Sequence, residues 1–310
     1  MTAPIWLTAA DTALIADRLC ALGWLAPDEA LTGVASAGDG NLNLVLRVFA
    51  IGRSAILKQA RPWVEKYPTI AAPVERSAVE ASFYQLVRAA PALATFMPQL
   101  LGVDPAWHLL LLEDVGEQAD AAALYRRASA DAAARTQLIA FLAGLHALAL
   151  PLAALPDNRA MLELNHAHIF TLPFAGADSD LTTTAARLGQ RYLLGVGPLL
   201  HGDFFPGAWV YGDDGVKVID PEFCLFGPPE FDLGVMAAHL IVSGDPPEAP
   251  DHLGAAYQSA GGGAVDSALI RRFAGIELWR RLFGVAPLPV VLDHPRKDAL
   301  IALAARLIRA

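Results

Sequence analysis

Residues 199–234 read LLHGDFFPGAWVYGDDGVKVIDPEFCLFGPPEFDLG, and this stretch decides how the rest of the chain is understood. Its apolar runs Leu199-Leu200 and Val218-Ile219 have the composition of short buried strands, and acidic residues follow each one. Asp203 lies in the loop after the first run; Asp220 closes the second, seventeen residues on, with Glu222 two residues beyond. Phosphoryl transfer needs one carboxylate beside the attacking hydroxyl and others that hold magnesium on the phosphates of ATP. An Asp on one loop and an Asp-x-Glu pair at the next strand end can supply both. Three solvated loop acids are the plain alternative, but buried strands that deliver them to one place argue against it.

Strand signals nearly vanish on either side of 199–219 once the chain passes Asp114. Helical spacing of apolar residues predicts helices over 131–150, 180–194, 230–243, 251–260, 267–283 and 296–309. Toward the N-terminus the pattern differs. A helix over 8–24 carries Leu14, Ile15, Leu19 and Leu22 behind Asp11, and residues 31–59 form short Val/Ile/Leu runs broken by Gly38, Gly40 and Gly52, which predicts antiparallel hairpins. A helix over 74–89 and strands over 99–103 and 108–113 complete this part. The predicted architecture is α+β in two lobes with a cleft between them. Residues 1–115 are expected to form a small antiparallel-sheet lobe, and 116–310 a large, mostly helical lobe.

The chain has 310 residues, 55% hydrophobic and 18% charged, which excludes a disordered protein and raises the question of a membrane. The most apolar stretch, 138–155, carries His146 in mid-run and Pro151 near its end, so its uninterrupted part falls short of the roughly 20 residues a span needs. A buried core helix is expected instead. The 23 basic and 32 acidic residues give a net charge of −9, with no basic tract longer than a pair, which argues against nucleic acid and anionic membrane surfaces as partners. Cys20 and Cys224 form no CxxC, and the first basic residue is Arg18, so a reducing, cytoplasmic setting is expected.

Other residues are candidates for the same chemistry. Gly38-Asp39-Gly40-Asn41-Leu42-Asn43 opens into the strand-like run Leu44-Val45-Leu46, so it is neither a dinucleotide fingerprint nor a Walker A loop. A glycine turn between strands can lay backbone N–H groups against phosphates, although an ordinary hairpin turn fits the same residues. Lys58 closes an apolar strand fifteen residues past Asn43, and Glu80 on the next helix is its candidate partner, an arrangement that would fix the lysine for phosphate contact; two solvated charges are the alternative. Asn165-His166-Ala167-His168 offers two imidazoles without an evident third ligand, which favours a structural or substrate-side role. Asp232 is expected to tie down the loop around Asp203, and His201 to hold that loop by hydrogen bonding rather than act as a base. Arg280 and Arg281 lie on a helix made apolar around most of its circumference by Ile276, Leu278, Trp279, Leu282 and Phe283, so at least one should face a polar cleft or a buried acid. Successive helical residues point about 100° apart, so the two are not expected to serve the same atom.

His201-Gly202-Asp203 followed by Asp220-Pro221-Glu222 resembles the phosphotransferases of the aminoglycoside phosphotransferase and choline kinase type, which share the protein-kinase fold. More narrowly the chain resembles 5-methylthioribose kinases. The matching pieces are 38–43, Lys58-Gln59-Ala60, the two acidic motifs with Phe223, Phe231-Asp232-Leu233-Gly234 and the pair Arg280-Arg281. The resemblance implies a cytoplasmic enzyme of methionine salvage that moves the γ-phosphoryl of ATP, with Mg2+, to the 1-hydroxyl of 5-methylthioribose. It implies that Gly38, Gly40, Asn41, Lys58 and Glu80 serve the nucleotide, that Leu112, Glu113 and Asp114 are the hinge beside adenine, and that Asp203 meets the acceptor hydroxyl. Asp220 and Glu222 would hold the metal, and Arg280 and Arg281 would reach the substrate and the moving phosphoryl group. The chain departs from the pattern at Ala208, where the wider group has Asn and methylthioribose kinases Ser, at Phe205, commonly His, and at Ala71-Ala72-Pro73, where a Trp-Pro pair is usual. Two alternatives stay open: an aminoglycoside- or choline-type phosphotransferase with another small-molecule acceptor, and a catalytically weak kinase-fold binding protein. A homodimer is compatible with either.

Overall fold

Alternation of apolar residues sets the first part of the fold, seen in a computed structural model that describes residues 5–38, 42–117, 121–212 and 215–310. Strands β1 (Gly33–Ser36), β2 (Leu44–Ala50) and β3 (Arg53–Gln59) are joined by two short strands, β4 (Trp63–Val64) and β5 (Tyr67–Ala71), and later by β6 (Leu100–Asp104) and β7 (Leu109–Glu113). Five of them form one antiparallel sheet in the order β1-β2-β3-β7-β6, while β4 and β5 pair with each other. Successive strand residues point to opposite faces. Leu46, Val48 and Ala50 of β2, Ala55 and Leu57 of β3, and Leu109 and Leu111 of β7 therefore share one face, where they pack on Ile15 and Leu19 of helix α1 (Thr12–Ala21). Lys58 points to the other face. There helix α2 (Arg76–Arg88) lies, followed by the single turn α3 (Pro91–Ala94).

The chain divides into two compact units, Met1–Gln118 with Ala153–Met161, and Ala119–Leu152 with Leu162–Ala310. The second unit is mostly helical: α4 (Ala121–Ala130), α5 (Ala132–His146), α7 (Ser179–Leu193), α8 (Glu230–Ser243), α9 (Ala249–Ser259), α10 (Ser267–Phe283) and α11 (His294–Arg309), with α6 (Arg159–His166) leading the chain back into it. Helix α8 is buried along nearly its whole length, and α10 packs against α8, α9 and α11. The close approach of α8 and α10 depends on Gly234, since a Cβ there would lie 2.5 Å from the Cβ of Phe273. Of the apolar stretch 138–155 only the part up to His146 lies in a buried helix, the second half of α5, while Leu152–Ala154 forms a short 3-10 turn with Leu152 exposed; among the described residues no helix is long and apolar enough to cross a membrane. Four short strands lie within residues 199–226. β8 (Leu199–Leu200) pairs with β11 (Leu225–Phe226), and β9 (Trp209–Gly212) with β10 (Gly215–Val218).

Candidate active site

Two loops of the second unit meet where β8 and β11 end. Gly202 adopts φ +90°, and a Cβ on it would lie 2.1 Å from the carbonyl oxygen of Phe223, so the loop carrying Asp203 sits directly on the turn that follows Asp220. The His201 ring spans the same gap, Nε2 lying 2.9 Å from the carbonyl of Ile219. Burial holds this imidazole below its ordinary pKa, although Asp232, Asp203 and Asp220 favour the charged form. The neutral ring therefore donates from Nε2 to Ile219 and keeps Nδ1 as acceptor for the Asp203 N–H, at 3.4 Å. Asp232, in the first turn of α8 and fully buried, accepts the backbone N–H groups of His201 at 2.7 Å and Gly202 at 2.9 Å. Phe204 is the apolar anchor of the loop, buried against Phe141 of α5 and Trp209.

The Asp203 carboxylate is held on one side. Its Oδ1 accepts from Nη2 of Arg280 at 2.8 Å and Nη2 of Arg281 at 3.4 Å, and Oδ2 has no donor among the described residues. Both arginines thus converge on one atom, contrary to the expectation from their 100° separation. Long side chains bend back to a common acid, and Glu277, three and four residues earlier, is the reason. Its Oε2 takes Nε of Arg280 and its Oε1 takes Nε of Arg281 at 2.8 Å. Phe205 lies under the Arg281 guanidinium, 4.6 Å from the ring centroid, so the position that departs from the resemblance serves as a cation–π shelf.

Asp220 stands at the end of the second loop with φ +60°, a conformation uncommon for a side chain other than glycine and concentrated at functional sites. Glu222 is buried two residues on. Ala208 is also buried, and its carbonyl accepts the N–H of Ile219 at 2.9 Å. Among the described residues no three His, Cys, Asp or Glu side chains are grouped to hold a metal ion. His166 and His168 flank the start of a π-helical turn, Ala167–Thr171, whose Phe170 packs on Phe273 of α10. Burial lowers the pKa of both rings.

In the first unit Lys58 and Glu80 form a buried ion pair, Nζ to Oε1 2.7 Å. Gly38 has φ +78°, whereas Asp39, Gly40 and Asn41 lie outside the described residues. In the expected hinge, Leu112 is a buried strand residue, Glu113 accepts the Gln99 N–H through Oε2 at 3.0 Å, and Asp114 is clasped by Arg47 at 2.8 Å and the Ser54 hydroxyl at 2.6 Å. These carboxylates serve the protein's own backbone and side chains. Arg76, fully buried, escaped sequence reasoning. It donates to Asn43 Oδ1 at 2.9 Å, and to the carbonyls of Leu42 at 3.2 Å, Arg61 at 2.9 Å and Pro73 at 2.6 Å, and so fixes the chain at Leu42 and Asn43. The signal was present: residues 76, 79, 80, 83, 84 and 87 share one helical face, and the structure buries all six.

Residues 37–272 match the phosphotransferase enzyme family. The chain belongs to this family. Its relatives within the phosphotransferases include the methylthioribose kinase of Geobacillus thermodenitrificans, 27% identical over 240 residues, covering 66% of this chain and 59% of that protein. The methylthioribose kinase of Cronobacter sakazakii is 28% identical over 273 residues, covering 76% and 66% respectively. The matched region thus spans about three-fifths to two-thirds of the length of these relatives. The choline kinase LicA of Streptococcus pneumoniae superposes with a TM-score of 0.59 at 13% identity, covering 96% of this chain and 98% of that one. That likeness establishes the kinase-like fold, α+β with an antiparallel sheet in the N-terminal part and helices in the C-terminal part.

Proposed function

We propose that this phosphotransferase is a Mg-ATP-dependent small-molecule kinase whose acceptor is the 1-hydroxyl of 5-methylthioribose. The observation that carries the reading is the one-sided restraint of Asp203: Oδ1 is occupied by two guanidinium groups while Oδ2 remains available to an incoming hydroxyl. The methylthioribose kinases among its relatives support the choice of acceptor.

In this reading the acceptor hydroxyl donates to Asp203 Oδ2 and is aimed at the γ-phosphorus. A bond forms from the hydroxyl oxygen to phosphorus, the bond to the β–γ bridging oxygen breaks, ADP leaves, and the hydroxyl proton passes to Asp203. The transition state for such transfers is loose, so positioning and charge stabilisation contribute most. Arg280 and Arg281 keep the carboxylate oriented and offer guanidinium edges to the substrate and the transferring group. Lys58, fixed by Glu80, would contact the nucleotide phosphates, with backbone groups around Gly38, Gly40 and Asn41. Adenine contacts at Leu112–Asp114 would fall to the backbone, because the two carboxylates there are engaged.

Asp220 and Glu222 are the residues that would hold magnesium. Their donor set is all oxygen, the preference of that hard cation, and two carboxylates suffice because magnesium retains waters and phosphate oxygens. When bound, it would neutralise charge on the ATP phosphates. The experiment is 31P NMR of reactions with Mg-ATP and, separately, 5-methylthioribose, choline, ribose or an aminoglycoside. A sugar 1-phosphate resonance from 5-methylthioribose, formed with equimolar ADP and at the highest kcat/KM of the panel, is the expected result. A larger kcat/KM for choline or an aminoglycoside would reassign the acceptor, and no phosphoryl product with any of them would refute the kinase reading.

A further inference from the structure

We propose that Glu277, itself oriented by His239 and Tyr125, is the positioning residue that sets both arginines on Asp203; this rests on the phosphotransfer reading above. The three residues come from separate helices, α10, α8 and α4, and all are buried. The Tyr125 hydroxyl lies 2.6 Å from His239 Nδ1, and His239 Nε2 lies 2.9 Å from Glu277 Oε1.

The proton positions follow from the environment. Burial pushes the Glu277 carboxyl up, but Arg280, Arg281 and a hydrogen bond from His239 overcome it and hold the group well below its usual range. Glu277 is therefore an acceptor, and His239 Nε2 carries the proton it receives. Burial keeps His239 neutral, so Nδ1 must accept, and Tyr125, whose hydroxyl burial holds above its ordinary pKa, donates. Each polar group along Tyr125–His239–Glu277 has one consistent role. The charges also balance, with Glu277 and Asp203 against Arg280 and Arg281.

Without Glu277 the two arginines would leave the helix in different directions. With an oxygen on each Nε, their Nη edges are turned to the same side, where Asp203 Oδ1 receives one from each. The His239 ring also contacts Phe205, which supports Arg281, at 5.3 Å between centroids. Glu277 touches neither the acceptor nor the phosphates in this scheme and acts through the arginines.

A purely structural ion cluster would affect stability and leave the split between kcat and KM unmoved. Steady-state kinetics and thermal melts of Glu277→Gln, Tyr125→Phe, His239→Gln and His239→Leu separate the two. Glu277→Gln is expected to lower kcat on the order of a hundredfold, as misplacing a catalytic group by about 1 Å does, with KM for ATP within about threefold of the parent. Tyr125→Phe should lower kcat about fivefold, the size of one hydrogen bond, with little change in melting temperature. His239→Gln, which keeps a donor for Glu277, should recover at least about fivefold of the rate lost in His239→Leu. A Glu277→Gln enzyme within about threefold of the parent kcat, or equal rates for the two His239 variants, would overturn the proposal. Arginine Nε–H resonances in 15N spectra give a readout that needs no turnover. Two slowly exchanging signals, lost singly in Arg280→Lys and Arg281→Lys, should both shift in Glu277→Gln and in Tyr125→Phe. Shifts without any acceptor-dependent turnover in the parent would refute the kinase reading while leaving the positioning intact; unshifted signals in an active parent background would refute the positioning alone.

Discussion

A methyl group at position 202 has no room. It would meet the Phe223 carbonyl at 2.1 Å on a backbone whose φ of +90° already disfavours any side chain. Gly202→Ala is therefore expected to push the Asp203 loop off the turn that carries Asp220 and Glu222. The strain alone is about 1–3 kcal/mol, and turnover should fall at least about a hundredfold, since catalytic groups are intolerant of shifts near 1 Å. Near-normal turnover in a melted-and-assayed variant would show that this contact does not set the geometry. Glu222→Gln tests the metal assignment: the magnesium concentration for half-maximal rate should rise sharply, and an unchanged titration curve would remove Glu222 from the site. Asp203, Asp220 and His201 were legible in sequence because short apolar runs adjoin them, and Asp232 because it opens the apolar helix α8. Their partners were less so. A sequence shows that Arg280 and Arg281 differ by 100° around a helix, but not that Glu277 bends both onto one oxygen.

Two elements, β3 and α2, meet through the buried pair of Lys58 and Glu80. Removing one member of such a pair strands the other charge, so Glu80→Ala should cost about 3–5 kcal/mol in denaturant unfolding followed by tryptophan fluorescence. Replacing both, as Lys58→Met with Glu80→Leu, should be nearly neutral for stability yet should weaken ATP binding measured by calorimetry. If the double variant binds ATP as well as the parent, Lys58 is a structural cation only. At this scale the sequence located most helices and strands within a few residues, because long runs with one clear period specify their own geometry. Helix α8 and helix α10 occupy the predicted ranges. The β4–β5 hairpin was not anticipated: Pro62 and Pro68 interrupt the apolar alternation, and a proline in a strand is tolerated where its missing N–H is not needed by a neighbour. The π-helical turn at Ala167–Thr171 has no compositional mark either, since an extra residue in a helical turn leaves the local residue types unchanged.

For the molecule as a whole, buried neutral histidines make stability depend on pH. Burial holds His201 and His239 below the ordinary value of 6.5, so the unfolded chain binds protons that the native chain refuses. Stability is then fully present above about pH 6.5 and is lost as pH falls toward the depressed native values; Glu277 adds a further loss below its ordinary 4.5. Thermal melts should show a lower melting temperature at pH 5.5 than at pH 7.5, about the acid side of the histidine range, and a flat profile would mean that the imidazoles are accessible to protons. The central claim is that Asp203 directs an acceptor hydroxyl at the γ-phosphoryl of ATP. It is tested most directly by acceptor-dependent ADP release from the parent and Asp203→Asn proteins with Mg-ATP and 5-methylthioribose, with ATP affinity measured on both. The parent should release one ADP per acceptor consumed, and Asp203→Asn should lose about a hundredfold or more of that rate with ATP affinity within about threefold. A loss of less than about tenfold, in a variant that still binds ATP, would contradict the claim.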